Sequence, residues 1–352
     1  MVHWNRQKTR NILLMQITGL LFTILTFILL TQQDGAAEGQ LPNLQIESAI
    51  TMPLKELSGI HWRNTTRGLE LVAIGDKKAE LAIMDMASGE IRKESFRDLI
   101  LDQFSLCAHA DNSVCAKFLK KILADWEAIR IDGSGRIYLL QEHSEAVIVL
   151  DPNLDRIPAV LNFNLLEMFP EKAKKSGRKF PSNALGEGLL LMNQGHFVVA
   201  KESAPMALIE FGPEGSIPMG LHGSTVLAPG KSFELPTSGK NRHRYKALAY
   251  WDLAADGKCD FSDIEFARGQ IFVLSQRCQR IIVFDSLTPK HGELRPSATY
   301  ALPSVIKNPE ALAVLPDGRL VVGSDIRSKK DNVFILKSPF AEWASSEQKD
   351  LL

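Results

Sequence analysis

Five stretches of the chain repeat one pattern: a small or acidic residue, an apolar strand, a turn, a second strand ending in polar residues, and a third strand. They begin ELSGIHW at Glu56, DWEAIRI at Asp125, LGEGLLL at Leu185, FSDIEFA at Phe261 and PEALAVL at Pro309. Their cores, at 137–140, 197–200, 271–274 and 320–323, are short and rich in β-branched or aromatic residues that suit a pleated, half-buried surface. Asp132-Gly133-Ser134-Gly135 and Pro316-Asp317-Gly318 stand where the chain must reverse, and glycine supplies the positive φ that tight turns need. Segments 159–163 and 298–302 offer outer fourth strands. Three or four antiparallel strands, repeated five times, are the signature of β-propeller blades. An all-β fold with a single propeller over 44–339 is therefore expected. The copies are spaced by roughly 50 to 75 residues, more than common propeller repeats. The excess lies in insertions at 96–123, 171–179 and 216–251. The last contains a strand-like run at 246–251, so five blades are expected, with six as the alternative. Residues 44–50 would give an outer strand to the last blade.

Aligned by their strands, the copies yield two polar columns. The first, before the innermost strand, reads Ser58, Glu127, Glu187, Asp263 and Glu310. The second, closing the next strand, reads Asp76, Glu142, Glu202, Gln276 and Asp325. Around a central channel each column becomes a ring. Crowded carboxylates repel one another, and burial raises their pKa. A hard cation with oxygen ligands such as Ca2+ would relieve this, with Glu127, Glu187, Asp263 and Glu310 as its ligands. Ser58, Glu202, Gln276 and Asp325 are candidate ligand contacts. Lys201 and Arg277 would either neutralise the ring or meet an anionic group. The plainer reading is that these side chains cap backbone groups or tie neighbouring blades. His143, beside Glu142, is a candidate general base or metal ligand, or a mere surface residue. His61, Trp62 and Trp126 either line the channel or pack the core.

The N-terminus carries a different signal. Arg6, Lys8 and Arg10 precede an uncharged, apolar run from 11 to 33. About 20 such residues span a bilayer, and cationic residues before them stay in the cytoplasm. The expected layout is a cytoplasmic basic segment 1–10, a signal-anchor helix 11–33, a linker 34–43, the propeller 44–339 and a tail 340–352. That places a single-pass protein in the inner membrane with its propeller on the periplasmic side. A cleaved signal peptide is the rival reading, since Gly35-Ala36-Ala37 resembles a cleavage site. The four cysteines fall into two local pairs, Cys107 with Cys115 and Cys259 with Cys278, as disulfides in an oxidising compartment would.

A formal net charge of +0 offers nothing to nucleic acid, and no such partner is expected. Nucleophile elbow, P-loop, HExxH and dinucleotide fingerprints are all missing from the sequence. The openings ELSGI, DWEAI, GEGL and NPEAL resemble the SdiA-regulated family of exported propellers and the related esterase-like phytase domains. The resemblance covers most of 54–337. It implies a cell-envelope propeller that binds calcium, with a phosphoester or ester as substrate. It carries over to Glu127, Glu187, Asp263 and Glu310, and then to Glu142, Glu202 and Asp325. Ser58 and Gln276 depart from the acidic pattern. Two functions follow. One is a binding module that holds a small anionic or metal-bound ligand, or an envelope protein, at the acidic channel. The alternative is a metal-assisted phosphoesterase or esterase in which Glu142 or His143 activates water.

Overall fold

The computed structural model describes residues 42–104, 112–165, 167–168, 186–202, 206–237, 241–252, 259–326 and 330–339. The apolar segment 11–33, the basic stretch 171–179 and the tail 340–352 lie outside these residues. Among the described residues no helix is long and apolar enough to cross a membrane.

The chain opens with β1 (Ile46–Ile50) and then forms a first sheet from β2 (Leu57–Thr65), β3 (Gly68–Gly75), β4 (Glu80–Asp85) and β5 (Ile91–Ser95). Two helices follow, α1 (Arg97–Gln103) and α2 (Asn112–Ile122). The second sheet is β6 (Trp126–Ile131), β7 (Ile137–Gln141), β8 (Ala146–Leu150) and β9 (Ala159–Asn162). The third is β10 (Gly188–Leu191), β11 (Phe197–Lys201), β12 (Ala207–Pro213) and β13 (Arg242–Asp252). The fourth holds β14 (Asp263–Ala267), β15 (Gln270–Ser275), β16 (Arg280–Phe284) and β18 (Pro296–Ala301), while the short β17 (Gly292–Glu293) pairs with β13. The fifth is β19 (Pro309–Val314), β20 (Leu320–Ser324) and β21 (Val333–Leu336), completed by β1. Each sheet is an antiparallel meander, and β9 and β13 join the second and third sheets by a parallel pairing. The strand at 246–251 that suggested a sixth blade is part of β13, the outer strand of the third sheet.

Strands β7 and β8 are buried at every position. Such unbroken apolar runs, without alternation, fit strands covered on both faces. The cover comes from the neighbouring sheets. Five apolar layers are present, one between each successive pair of sheets. Tyr138 and Phe197 meet in the layer between sheets two and three, Val198 and Val273 in the next, and Phe272 and Leu312 between sheets four and five. Leu57 and Val321 close the circle between sheets five and one, and Ile74 and Ile129 fill the layer between one and two. Phe96 and Ile100 at α1 and Ile122 of α2 extend that last layer, which explains the helical insertion. The innermost strands β2, β6, β10, β14 and β19 pack on one another in sequence, and β19 returns to β2. This is a five-bladed propeller.

Closure depends on β1, whose register runs from Ile46 opposite Leu336 to Ile50 opposite Val333. Buried Asn332 reinforces it, accepting from Met52 N at 2.7 Å and donating to Met52 O at 3.1 Å. A disulfide joins Cys259 to Cys278, tying the approach to β14 to the β15–β16 turn. Cys107 and the side chain of Cys115 lie outside the described residues. Replacing Asn332 by Ala strands two buried Met52 backbone groups and is expected to cost about 1–3 kcal/mol. A urea unfolding midpoint unchanged by Asn332→Ala would show that the clasp contributes nothing.

Candidate functional site

Because the five inner strands run in the same direction, all five begin at one mouth of the channel. In three of them the first-column residue sits at a β-bulge: the register shifts between Leu57 and Gly59, between Trp126 and Ala128, and between Pro309 and Ala311. A bulge re-aims one side chain and leaves it outside the ladder, here Ser58, Glu127 and Glu310. In the third sheet Glu187 stands just ahead of β10, with its N–H bound to Ala200 O at 2.9 Å. The fourth sheet has no bulge. There Ser262 N reaches Leu274 O, and Asp263 pairs with Leu274 as Gly188 pairs with Ala200. The register therefore sets Ser262, not Asp263, in line with Glu187, and the first ring holds three carboxylates. One residue of offset turns a strand side chain to the other face.

Asp263 is fully buried and serves the interior. It accepts from Leu312 N at 2.8 Å and from Arg130 Nη2 at 3.1 Å, linking the second, fourth and fifth sheets. Burial still pushes its pKa up to about 7, against the pull of Arg130. Ser58 is also buried, and its hydroxyl donates to Trp126 O at 2.5 Å across the first and second sheets. For these two positions the inter-blade reading describes what the side chains touch.

The other acids do gather. Glu127 hydrogen-bonds the Glu187 carboxyl, and burial holds both pKa values well above the usual range. Asp76, Glu142 and Glu310 add their charges at Glu127, and Glu202, Glu142 and Glu310 at Glu187. Two carboxyl groups that share a hydrogen bond must hold at least one proton. Glu310 is pushed up to about 8, by burial first and then by Asp325, Asp76 and Glu202. Gln276 does not interrupt the ring: its Nε2 donates to Glu310 Oε1 at 3.0 Å.

The cations lie at the margins. Lys77 bonds Asp76 and sits 2.6 Å from Glu56. Arg277 is more than half exposed and lies 3.9 Å from Asp260. Lys201 is buried, which lowers its pKa to about 8, while Glu202 opposes the shift. His143 is exposed and faces Phe118 of α2, with ring centroids 6.4 Å apart. Burial and Lys121 lower its pKa, and Asp125 opposes them. The charges acting on Glu127 and Glu187 are carboxylates, and His143 is not among them. Trp126 is core, packed edge-on against Phe96. His61 and Trp62 lie at the opposite mouth, in a cavity that the strand pattern did not announce.

The oxygen-only donor set is of the kind hard cations prefer. Among the described residues, however, no three metal-ligating side chains converge on one point. The acids rim an opening and do not form a closed cage.

No family model and no curated protein matches the sequence. Solved structures with a similar course include glutaminyl cyclase from Myxococcus xanthus, 12% identical over 84% of this chain and 93% of that one, with a TM-score of 0.43. Another is regucalcin from Agrobacterium tumefaciens, a calcium-binding protein, 12% identical over 85% and 97%, with a TM-score of 0.41. A third is the PQQ-bound aldose sugar dehydrogenase of Streptomyces coelicolor, 10% identical over 84% and 98%, also at 0.41. At such values the likeness carries no argument, and the propeller rests on its own closed ring of sheets.

An acid whose folded pKa lies above its unfolded value stabilises the fold at low pH and loses that contribution as pH rises through the folded value. For Glu310 the window runs from its ordinary value of 4.5 to about 8. Urea stability should therefore fall between those limits, and Glu310→Gln should flatten the fall and be the more stable protein at pH 8. Parallel pH profiles for the two proteins would contradict the burial and crowding described for Glu310.

Proposed function

We propose that the chain is a membrane-anchored, extracytoplasmic binding propeller of the SdiA-regulated, phytase-like type, which takes up a cation or a metal-bound ligand at its acidic mouth. The observation that carries this is the half-buried Glu127–Glu187 carboxyl pair, encircled by Asp76, Glu142, Glu202, Glu310 and Asp325. Lys77 bridges Asp76 and Glu56, Gln276 donates to Glu310, Arg277 and Lys201 act on Glu202, and the Glu127–Glu187 pair is held together by a proton. A cation arriving at the rim, still carrying part of its water shell, would replace that proton. Half-exposed Arg277 is placed to meet an anionic group that the cation brings along.

The anchor reading draws on the apolar run at 11–33 and the basic residues ahead of it. The Cys259–Cys278 disulfide supports export to an oxidising compartment. An envelope protein docking on the same acidic mouth belongs to this reading as well. The hydrolase alternative has less to stand on, because His143 faces Phe118 and α2 and leaves Glu142 as the base.

Binding of a cation should release protons, so affinity should rise with pH through about 8, the value for Glu310. Calorimetric titration of Ca2+ into the chelator-treated protein, in two buffers of different ionisation enthalpy, reads both affinity and proton release. The expected result is binding with proton release that is lost in a Glu127→Gln, Glu187→Gln double variant. Absence of binding, or binding unaffected by the double variant, would remove the acidic mouth as a cation site.

A further inference from the structure

The channel's second mouth, opposite the acidic ring, opens into a cavity of about 690 Å3. That lies within the roughly 300–1,000 Å3 typical of small-molecule sites. All five apolar layers surface on its wall, each through a side chain that is only partly buried. Trp62 belongs to the layer between sheets five and one, and Ile131 to that between one and two. Leu227 belongs to the layer between two and three, Phe266 to three and four, and Ala267 to four and five. Exposed apolar side chains scattered singly are ordinary, but five gathered in one concavity mark a place where an apolar body is received.

The exposed charges on the same wall are positive. Lys231 and Arg268 are exposed, and half-buried Arg63 adds a third cation, bound to Glu70 at 2.9 Å. Among the described residues the wall holds two acids, Asp132 and Glu265, and both are buried. Asp132 is engaged by Arg136 at 2.8 Å, by Tyr138 and by the Phe233 N–H. Glu265 precedes Phe266 on β14 and Arg130 precedes Ile131 on β6, so both lie deeper in the channel. There Glu265 accepts from Phe266 N at 2.9 Å and stands 4.0 Å from Arg130 Nη2, which also holds Asp263.

Both exposed cations stand on fixed backbone. Arg268 and Gly269 form the two-residue turn between β14 and β15, where Ala267 pairs with Gln270. Their φ values of 50° and 79° are of the kind such hairpin turns need. Lys231 belongs to the insertion between β12 and β13, which is bound at three points. Lys231 O accepts from Gly133 N at 2.7 Å, Phe233 N donates to Asp132 Oδ2 at 2.9 Å, and Leu227 N donates to Leu191 O at 3.0 Å. A Cβ on Gly133 would fall 2.0 Å from Gly230 C, so the close approach requires glycine. Trp62 is fixed too, with its indole N–H on Val314 O at 2.7 Å. The apolar wall and the backbone that carries its cations are thus preformed, as small-molecule sites mostly are.

We propose that this second mouth is a binding site for a small amphipathic carboxylate, whose apolar body lies on Trp62, Ile131, Leu227 and Phe266 while its charge stays at the rim with Lys231 and Arg268. A carboxylate at the floor would face Glu265, and a cationic ligand at the rim would face Lys231 and Arg268. Both the sign and the orientation of the ligand follow from the wall. The site is separate from the acidic mouth and independent of any cation bound there.

The test uses the full chain in phosphatidylcholine nanodiscs, with empty discs as the blank, and probes that put different charges on one ring system. These are indole-3-acetate, indole-3-acetamide and tryptamine, with 2-naphthoate and 2-naphthamide as a second pair, followed by saturation-transfer NMR and calorimetry. At least one of the two acids should bind, about 10-fold more tightly than its amide, through two partly solvated charge contacts. Tryptamine should bind more weakly than indole-3-acetamide. The double variant Lys231→Gln, Arg268→Asn should bring the acid's affinity down to that of its amide; asparagine suits the left-handed backbone at 268. If circular dichroism melting shows that the double variant fails to fold, Lys231→Gln alone decides, with an expected loss of about 3-fold. The proposal is overturned if neither acid binds, if an amide or tryptamine binds as tightly as the acids, or if acid binding withstands the folded variant.

Discussion

Pairing of β1 with β21 turns five separate meanders into a ring, and nearly everything else in the structure depends on that closure. Each sheet is apolar on both faces and can bury them only against two neighbours. An open row would leave one face of the first and last sheets in water. The layer around Leu57, Ala73, Ala313 and Val321 exists because the ends of the repeat meet. Burying a side chain of this size contributes roughly 1.5–3 kcal/mol. An N-terminal strand completing the last sheet makes closure a contact between residues some 280 positions apart, as in Met52 with Asn332. Closing so long a loop costs more chain entropy than a local contact does, but the cost grows only logarithmically with length.

Closure also brings like charges together. Five inner strands that start at one mouth bring their opening residues and the ends of the adjacent strands into one small region. The first-ring residues of the second, third and fifth sheets are glutamates, and repulsion there is met by protons on the Glu127–Glu187 pair and on Glu310. Farther along the channel the same geometry is used differently. Arg130 crosses from the second sheet to Asp263 and the Ile264 carbonyl of the fourth. A buried pair of this kind needs its further hydrogen bonds, and Leu312 N and Ile129 O supply two of them. One mouth therefore gathers carboxylates, the interior is an ion-paired plug, and the far mouth opens into a cavity lined by His61, Trp62 and the ends of the inner strands.

Much of this was legible in the residues. The turns at Asp132–Gly135 and Pro316–Gly318 mark strand reversals, with Gly135 and Gly318 at positive φ as such turns require. The outer strands β9 and β18 and the closing β1 fall close to where alternating and β-branched runs suggested. The fourth copy was misaligned by one residue, because its acid follows the serine that holds the register position, and an acid at nearly the right place draws the alignment to itself. FSDIEF therefore reads as though Asp263 were the counterpart of Glu127. Gln276 looked like a gap in the second ring, and only the folded contact shows it donating to Glu310. The far cavity was hidden for another reason. One side of its wall is an insertion that breaks the repeat, and Asp132 reads as an ordinary turn residue, although its carboxylate accepts from Phe233 N, 101 positions away.

With Glu310 pushed up to about 8, the acidic mouth should hold protons at neutral pH. The most direct measurement is an NMR titration of the side-chain carboxyl carbons in protein labelled with 13C at glutamate Cδ, assigned by single Glu→Gln variants. Glu127 and Glu187 should titrate together, well above the ordinary glutamate range, and Glu310 should titrate near 8. Ionisation of all three near 4.5, the ordinary value for glutamate, would contradict the crowding and burial on which the site rests.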